Sequence, residues 1–171
     1  GSHTTRDALQ QLRTNLTFVN VDHAPRTVVV TAARAGEGSS TVAANLARTM
    51  ADAGQRVVLI DADLREPAVA DIFQLDARVG LTQVLAGSVA LTDAVQEGDR
   101  ANLRVLTAGH LPPNPSGLLS SARMHHLLLT LGRDAMVVLD SPPLLEHRDA
   151  ALLSASADGA LLVISAAGAR E

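Results

Sequence analysis

The chain has 171 residues, 47% of them apolar, with 18 acidic and 14 basic side chains and a formal net charge of −4. That balance fits one globular domain with a sizeable core and argues against a disordered chain or a basic nucleic-acid coat. Cysteine is absent, which excludes disulfides, thiolate metal sites and a cysteine nucleophile; lysine, tyrosine and tryptophan are absent too, so every basic side chain is arginine.

Gly1-Ser2-His3 reads as a tag remnant and residues 4–171 as a single domain, part of a protein expected to extend further. Thr5–Phe18 sets Leu9, Leu12 and Leu16 at helical spacing, predicting an amphipathic helix instead of a signal peptide. Five apolar runs follow: Thr27–Thr31, Arg56–Ile60, Leu103–Leu106, Ala135–Leu139 and Gly159–Ile164. Each is continuously apolar, the pattern of a strand buried on both faces of a parallel sheet, and each is far short of the ~20 residues that span a bilayer. Helical spacing separates them. Ser40–Ala53 lines up Val42, Leu46 and Met50, with Gly54 as its terminator, and Ser116–Leu131 and Asp149–Ala157 read the same way. Strands alternating with helices predict an α/β fold with a doubly wound, mainly parallel sheet. The Pro-rich stretch Leu111–Pro115 reads as a rigid loop, too short to divide domains.

The first strand runs into Ala33-Arg34-Ala35-Gly36-Glu37-Gly38-Ser39-Ser40-Thr41 before a helix begins. A glycine loop between a buried strand and a helix N-terminus aims backbone N–H groups and the positive helix end at one spot, which suits a phosphate. The P-loop pattern expects Gly-Lys-Ser/Thr, but Ser39 holds the lysine position. A lysine–phosphate contact contributes about 1.5–3 kcal/mol, so its loss weakens nucleotide binding roughly 10- to 100-fold. An ordinary glycine turn capped by Ser39 or Ser40 is the alternative.

Carboxylates end two strands. Val57–Ile60 leads into Asp61-Ala62-Asp63, whose side chains two residues apart share a direction on an extended chain. Met136–Leu139 leads into Asp140, placed as a Walker B acid is, to hold Mg²⁺ directly or through water. Open α/β sheets bind ligands at the carboxyl ends of their strands. Each Asp alone also suits a helix cap; three beside a phosphate loop favour a metal–phosphate site.

Together Ala33–Thr41, Val57–Pro67 (VVLIDADLREP), Leu111–Ser121 (LPPNPSGLLSS) and Val137–Pro143 (VVLDSPP) resemble the bacterial tyrosine kinases of capsule and exopolysaccharide synthesis, the BY-kinases. Leu12–Phe18 resembles the leading helix of that family. The resemblance implies a P-loop NTPase fold, with Arg34, Ala35, Gly36, Glu37, Gly38, Ser39, Ser40 and Thr41 around the phosphates of ATP or ADP. It implies Ser40, Asp63 and Asp140 at Mg²⁺ and Asp61 as acceptor of the tyrosine proton. It also implies a place at the cytoplasmic face of the cell membrane, beside a membrane co-polymerase or fused to its transmembrane region, and rings in which one subunit phosphorylates a tyrosine tail of the next.

Four departures stand out. Ser39 replaces the lysine, and the ring-forming acidic–arginine motif is reduced to Asp7, Gln10 and Arg13. The chain carries no tyrosine, and the family has further adenine-holding elements after the fifth strand. Arg34 lies five residues before Ser39, where related positioning ATPases carry a second lysine, so it is a cation for phosphate or a solvated loop arginine. Three functions remain open: a tyrosine kinase whose lysine was removed by engineering, a natural pseudokinase serving as a structural module, and a ParA/MinD-like positioning ATPase. None of the six histidines has metal-ligand spacing, Glu146–Asp149 reads as a polar helix start, and sparse aromatics argue against nucleic acid.

Overall fold

The computed structural model describes residues 26–163. Gly1–His3, the helix expected over Thr5–Phe18, the oligomer motif at Asp7, Gln10 and Arg13, and His23 lie outside the described residues.

Six strands form one sheet: β1 (Thr27–Ala32), β2 (Val57–Asp61), β3 (Gln96–Glu97), β4 (Leu103–Leu106), β5 (Met136–Asp140) and β6 (Gly159–Val163). Their order is β3-β4-β2-β5-β1-β6, parallel throughout except for the two-residue edge strand β3. The five expected strands are therefore present, each within a residue or so of its expected ends. Successive β2 residues serve opposite faces: Val58 and Ile60 join one core, Val57 and Leu59 the other. This division explains the unbroken apolar runs, since neither face meets water.

The core that takes Val57 and Leu59 packs against α1 (Ser39–Asp52) and α2 (Val69–Phe73). On α1, Ala43, Leu46, Ala47 and Met50 are fully or nearly fully buried. Gly54 follows this helix at φ +93°, a left-handed conformation that a side chain resists. The opposite core lies under α3 (Leu81–Ala86), α4 (Leu91–Ala94), α5 (Pro115–Leu119), α6 (Ala122–Gly132) and α7 (Asp149–Ala155).

One expected helix is two. The stretch Ser116–Leu131 divides because Ser120 and Ser121 turn their hydroxyls back to the carbonyls of Ser116 and Leu118. Asn114 then caps α5 through the Gly117 N–H, and Ser121 caps α6 through the Met124 N–H. The short helices α2, α3 and α4 and the strand β3 had no counterpart in the sequence reading.

Gly80 is where α3 closes on the strand-end loop after β4. A Cβ there would lie 2.0 Å from the Thr107 carbonyl oxygen, which accepts the Leu81 N–H. The obstacle is backbone, so the segment must separate to admit a methyl. Gly80→Ala is expected to cost at least 1–3 kcal/mol, on the order of other overpacked sites, read as a lower urea midpoint.

Candidate active site

The loop 33–38 joins β1 to α1 on the carboxyl side of the sheet. Gly36 and Gly38 both have φ +82°, which an L side chain adopts only with strain. Gly38 is the N-cap of α1, and no side chain caps that end; the first turn carries no acid. Ser39 and Ser40 thus form the first helical turn instead of closing it, contrary to the capped-turn alternative. The uncapped helix N-terminus leaves backbone N–H groups directed outward, as phosphate binding requires.

Other donors of the loop meet acids. The Arg34 N–H donates to Glu37 Oε1 at 2.7 Å, and the Ala35 N–H donates to Glu146 Oε1 at 3.3 Å. Glu146 was read from the sequence only as part of a polar helix start. Its segment runs beside the end of β1, with the Leu144 and Leu145 N–H groups on the carbonyls of Ala32 and Ala33. Arg34 is exposed, and so is Thr41.

The three strand-end carboxylates converge. Asp61 and Asp140 are register partners on β2 and β5, and the Ala62 N–H donates to the Asp140 carbonyl. Ser40 Oγ donates to Asp140 Oδ2 at 2.6 Å, while Asp140 Oδ1 is buried with no hydrogen-bond partner. Asp61 Oδ1 accepts from the Asp63 N–H, and Asp61 Oδ2 accepts from the N–H groups of Ala68 and Val69. Asp63 Oδ1 accepts in turn from the N–H groups of Arg65 and Glu66. Two carboxylates therefore set the shape of the 62–69 loop.

Burial dominates the electrostatics. Asp61 and Asp140 are fully buried and Asp63 is 8% exposed. Desolvation pushes the Asp61 carboxyl up to about 7, against the lowering effect of its backbone donors and with a further push from Asp63. Asp140 also rises well above the carboxylate range, first through desolvation, then through the Asp61 charge, with the Ser40 bond opposing. A closely held cation would relieve both effects.

Among the described residues no group of three or more His, Cys, Asp or Glu is arranged as a metal cage. Mg²⁺ does not require one, because it is held by one or two carboxylates together with phosphate oxygens and water. The unpartnered Asp140 oxygen and the Ser40 hydroxyl beside it are hard oxygen donors of the type that ion prefers, so the residues present fit it.

Sequence reasoning missed a fourth buried acid. Asp149, in the first turn of α7, is fully buried and paired with Arg65 at 2.9 Å. A signal was available, since Asp149 shares its helix face with the buried Leu153 four residues on.

Comparison with known proteins accords with this arrangement. A ParA family model, described as NUBPL iron-transfer P-loop NTPase, matches residues 23–114. The tyrosine-protein kinase YwqD of Bacillus subtilis (strain 168) is 47% identical over 155 residues, covering 90% of this chain and 65% of that protein. The putative tyrosine-protein kinase CapB of Staphylococcus aureus is 32% identical over 164 residues, or 95% and 72%. The tyrosine-protein kinase Etk of Escherichia coli (strain K12) is 35% identical, but the chain spans only 22% of its length. Among solved structures, the kinase domain of Escherichia coli ETK superposes with a TM-score of 0.88 at 34% identity, covering 92% of this chain and 62% of that one. The cell division ATPase MinD of Pyrococcus furiosus gives 0.66 at 27% identity, with coverage of 81% and 58%. With a shared overall fold and sequence kinship across most of CapB, this chain belongs to the bacterial tyrosine kinases, within the P-loop NTPases.

Proposed function

We propose that the chain is a BY-kinase domain that binds Mg²⁺–ATP or Mg²⁺–ADP and acts in tyrosine phosphorylation controlling capsular or exopolysaccharide synthesis, with turnover suppressed by Ser39. The observation that carries this reading is the bond from Ser40 to Asp140 beside the unpartnered Asp140 Oδ1. It joins the start of α1, directly after the phosphate loop, to a strand-end acid with a free oxygen, which supports a phosphate-bound cation between them.

The residues divide the work. Gly36 to Thr41 wrap phosphates through backbone N–H groups, and Ser40, Asp63 and Asp140 hold the metal. Held there, Mg²⁺ would supply positive charge to offset what develops on the transferred group. Asp61, at the end of β2 beside Asp140, would take the proton of a tyrosine hydroxyl. Its carboxylate is closed off beneath the 62–69 loop, so proton transfer there requires that loop to lift.

The partner side of the reading rests on the relatives. Etk is several times the length of this chain, which fits a kinase domain fused to a longer protein. A membrane co-polymerase or activator, and ring assembly through the segment with Asp7, Gln10 and Arg13, are carried from the resemblance. No helix among the described residues is long and apolar enough to cross a membrane, so membrane attachment would come from such a partner or fused region. A second reading, a pseudokinase serving as a structural module, is favoured by Ser39 in the position of the P-loop lysine.

Titration calorimetry with ADP, with and without Mg²⁺, tests the central reading. The chain is expected to bind ADP weakly and more tightly with Mg²⁺, and Asp140→Asn to lose roughly 10-fold or more of the Mg²⁺-dependent part. Equal Mg²⁺ dependence in both chains would remove Asp140 from the metal site.

A further inference from the structure

Asp149 is closed off from water, yet it is not left as a lone buried charge. Arg65 Nε donates to its Oδ2 at 2.9 Å, the Arg65 Nη2 donates to its Oδ1 at 3.3 Å, and Ser116 Oγ donates to the same Oδ1. Arg65 Nη2 also donates to Ser116 Oγ at 3.3 Å, which closes a ring of three side chains. The ring joins three segments far apart in sequence: the loop after β2, the start of α5 and the start of α7.

Arg65 is held at both ends. Its backbone N–H donates to Asp63 Oδ1 while its guanidinium is fixed to α5 and α7. The 62–69 loop is otherwise folded around its own acids, with five backbone N–H groups shared between Asp61 and Asp63. Such a loop keeps its internal shape when displaced as a body. Ala62 and Leu64 seat the loop in the core beneath the helices, and Arg65 adds the polar tie outward to α5 and α7.

We propose that Arg65 is a positioning residue for the metal site: the Asp149–Ser116 clamp fixes Arg65, and Arg65 fixes where the Asp63 carboxylate stands. This rests on the reading that Asp63 helps hold phosphate-bound Mg²⁺. A purely stabilising role accounts for the ring poorly: Asp149 loses its hydration on burial while the Arg65 side chain stays 32% exposed, so their attraction does little more than offset that loss. A planar, two-pronged arginine on a buried carboxylate is a device for fixing geometry. The clamp also ties Ser116, in the LPPNPSG segment, to the nucleotide end of the sheet.

The test measures ADP affinity with and without Mg²⁺ in the parent chain, Arg65→Gln, Arg65→Lys and Ser116→Ala. Arg65→Gln is expected to lose roughly 10-fold of the Mg²⁺-dependent affinity, as supporting residues of metal sites do, with Mg²⁺-free affinity unchanged. Arg65→Lys keeps the charge without the fork and is expected to recover only part. Ser116→Ala leaves the ion pair intact, serves if Arg65→Gln does not fold, and is expected to lose roughly 3- to 5-fold, the worth of about one hydrogen bond. A lower melting temperature with an unchanged ratio of Mg²⁺-bound to Mg²⁺-free affinity overturns the proposal and leaves the metal reading standing. If the parent chain gains nothing from Mg²⁺, the metal reading falls, and this inference with it.

Discussion

Ser39→Lys is expected to tighten Mg²⁺–ADP binding roughly 10- to 100-fold and to raise phosphotransfer by a larger factor. Position 39 opens α1 directly after the left-handed Gly38, so a side chain there starts beside the uncapped N–H groups. The surroundings are acidic: Glu37 and Glu146 touch the loop, and Asp61, Asp63 and Asp140 lie at the neighbouring strand ends. A triphosphate approaching this group of acids meets repulsion that Mg²⁺ offsets only in part. A serine hydroxyl adds one hydrogen bond and no charge; a lysine ammonium adds a positive charge that follows the phosphates through transfer. Titration calorimetry with Ser39→Lys and with the uncharged Ser39→Met separates charge from chain length. Equal affinity in the two variants would show that no phosphate comes near this position. Restored binding without transfer to a tyrosine-rich peptide would move the function toward the structural-module reading.

Without metal, the melting temperature is expected to fall as pH rises from about 4 to about 7, opposite to the usual behaviour of paired carboxylates. The folded Asp61 holds its proton up to about 7, whereas in the unfolded chain it releases it near 3.8. Between those values the native state binds more protons than the unfolded state, so raising the pH favours unfolding. Asp140 acts in the same direction. Asp149 opposes them only in acid: the Arg65 and Ser116 bonds outweigh desolvation and hold it below the carboxylate range, so its contribution is full above 3.8 and is lost as pH falls through its folded value. Asp140→Asn removes one of the mutually repelling charges, so it is expected to raise the metal-free melting temperature at pH 8 while reducing the rise that Mg²⁺–ADP gives the parent chain. Scanning calorimetry at pH 5 and pH 8 decides it. A parent chain equally stable at both would mean that the burial of these acids costs nothing.

Much of this was legible because the strands carry their signal in composition alone. Val57–Ile60 and Met136–Leu139 are apolar at every position, and the sheet's two covered faces are the reason. The strand-end acids follow, since a charge directly after such a run has to sit at the rim. The region from Pro67 to Arg100 stayed unread because α2, α3 and α4 span only five, six and four residues. Pieces that short have too few turns for a period to show. Arg65 and Asp149 escaped for another reason: 84 positions separate them, and nothing local in either segment announces the other. Glu146 likewise gains its meaning only once β5 lies beside β1.

The placement of β1 also bears on how the molecule reaches its native state. The strand that carries the phosphate loop emerges early in synthesis, yet its two neighbours are β5 and β6, so it stays unmatched until the ribosome has passed Val137 and then Gly159. Pairings that distant close slowly, since a long loop loses entropy before contacts compensate. The loop that would grip a nucleotide thus belongs to the last-consolidated part of the sheet, and nucleotide present during refolding is expected to act on the final steps of assembly instead of the first.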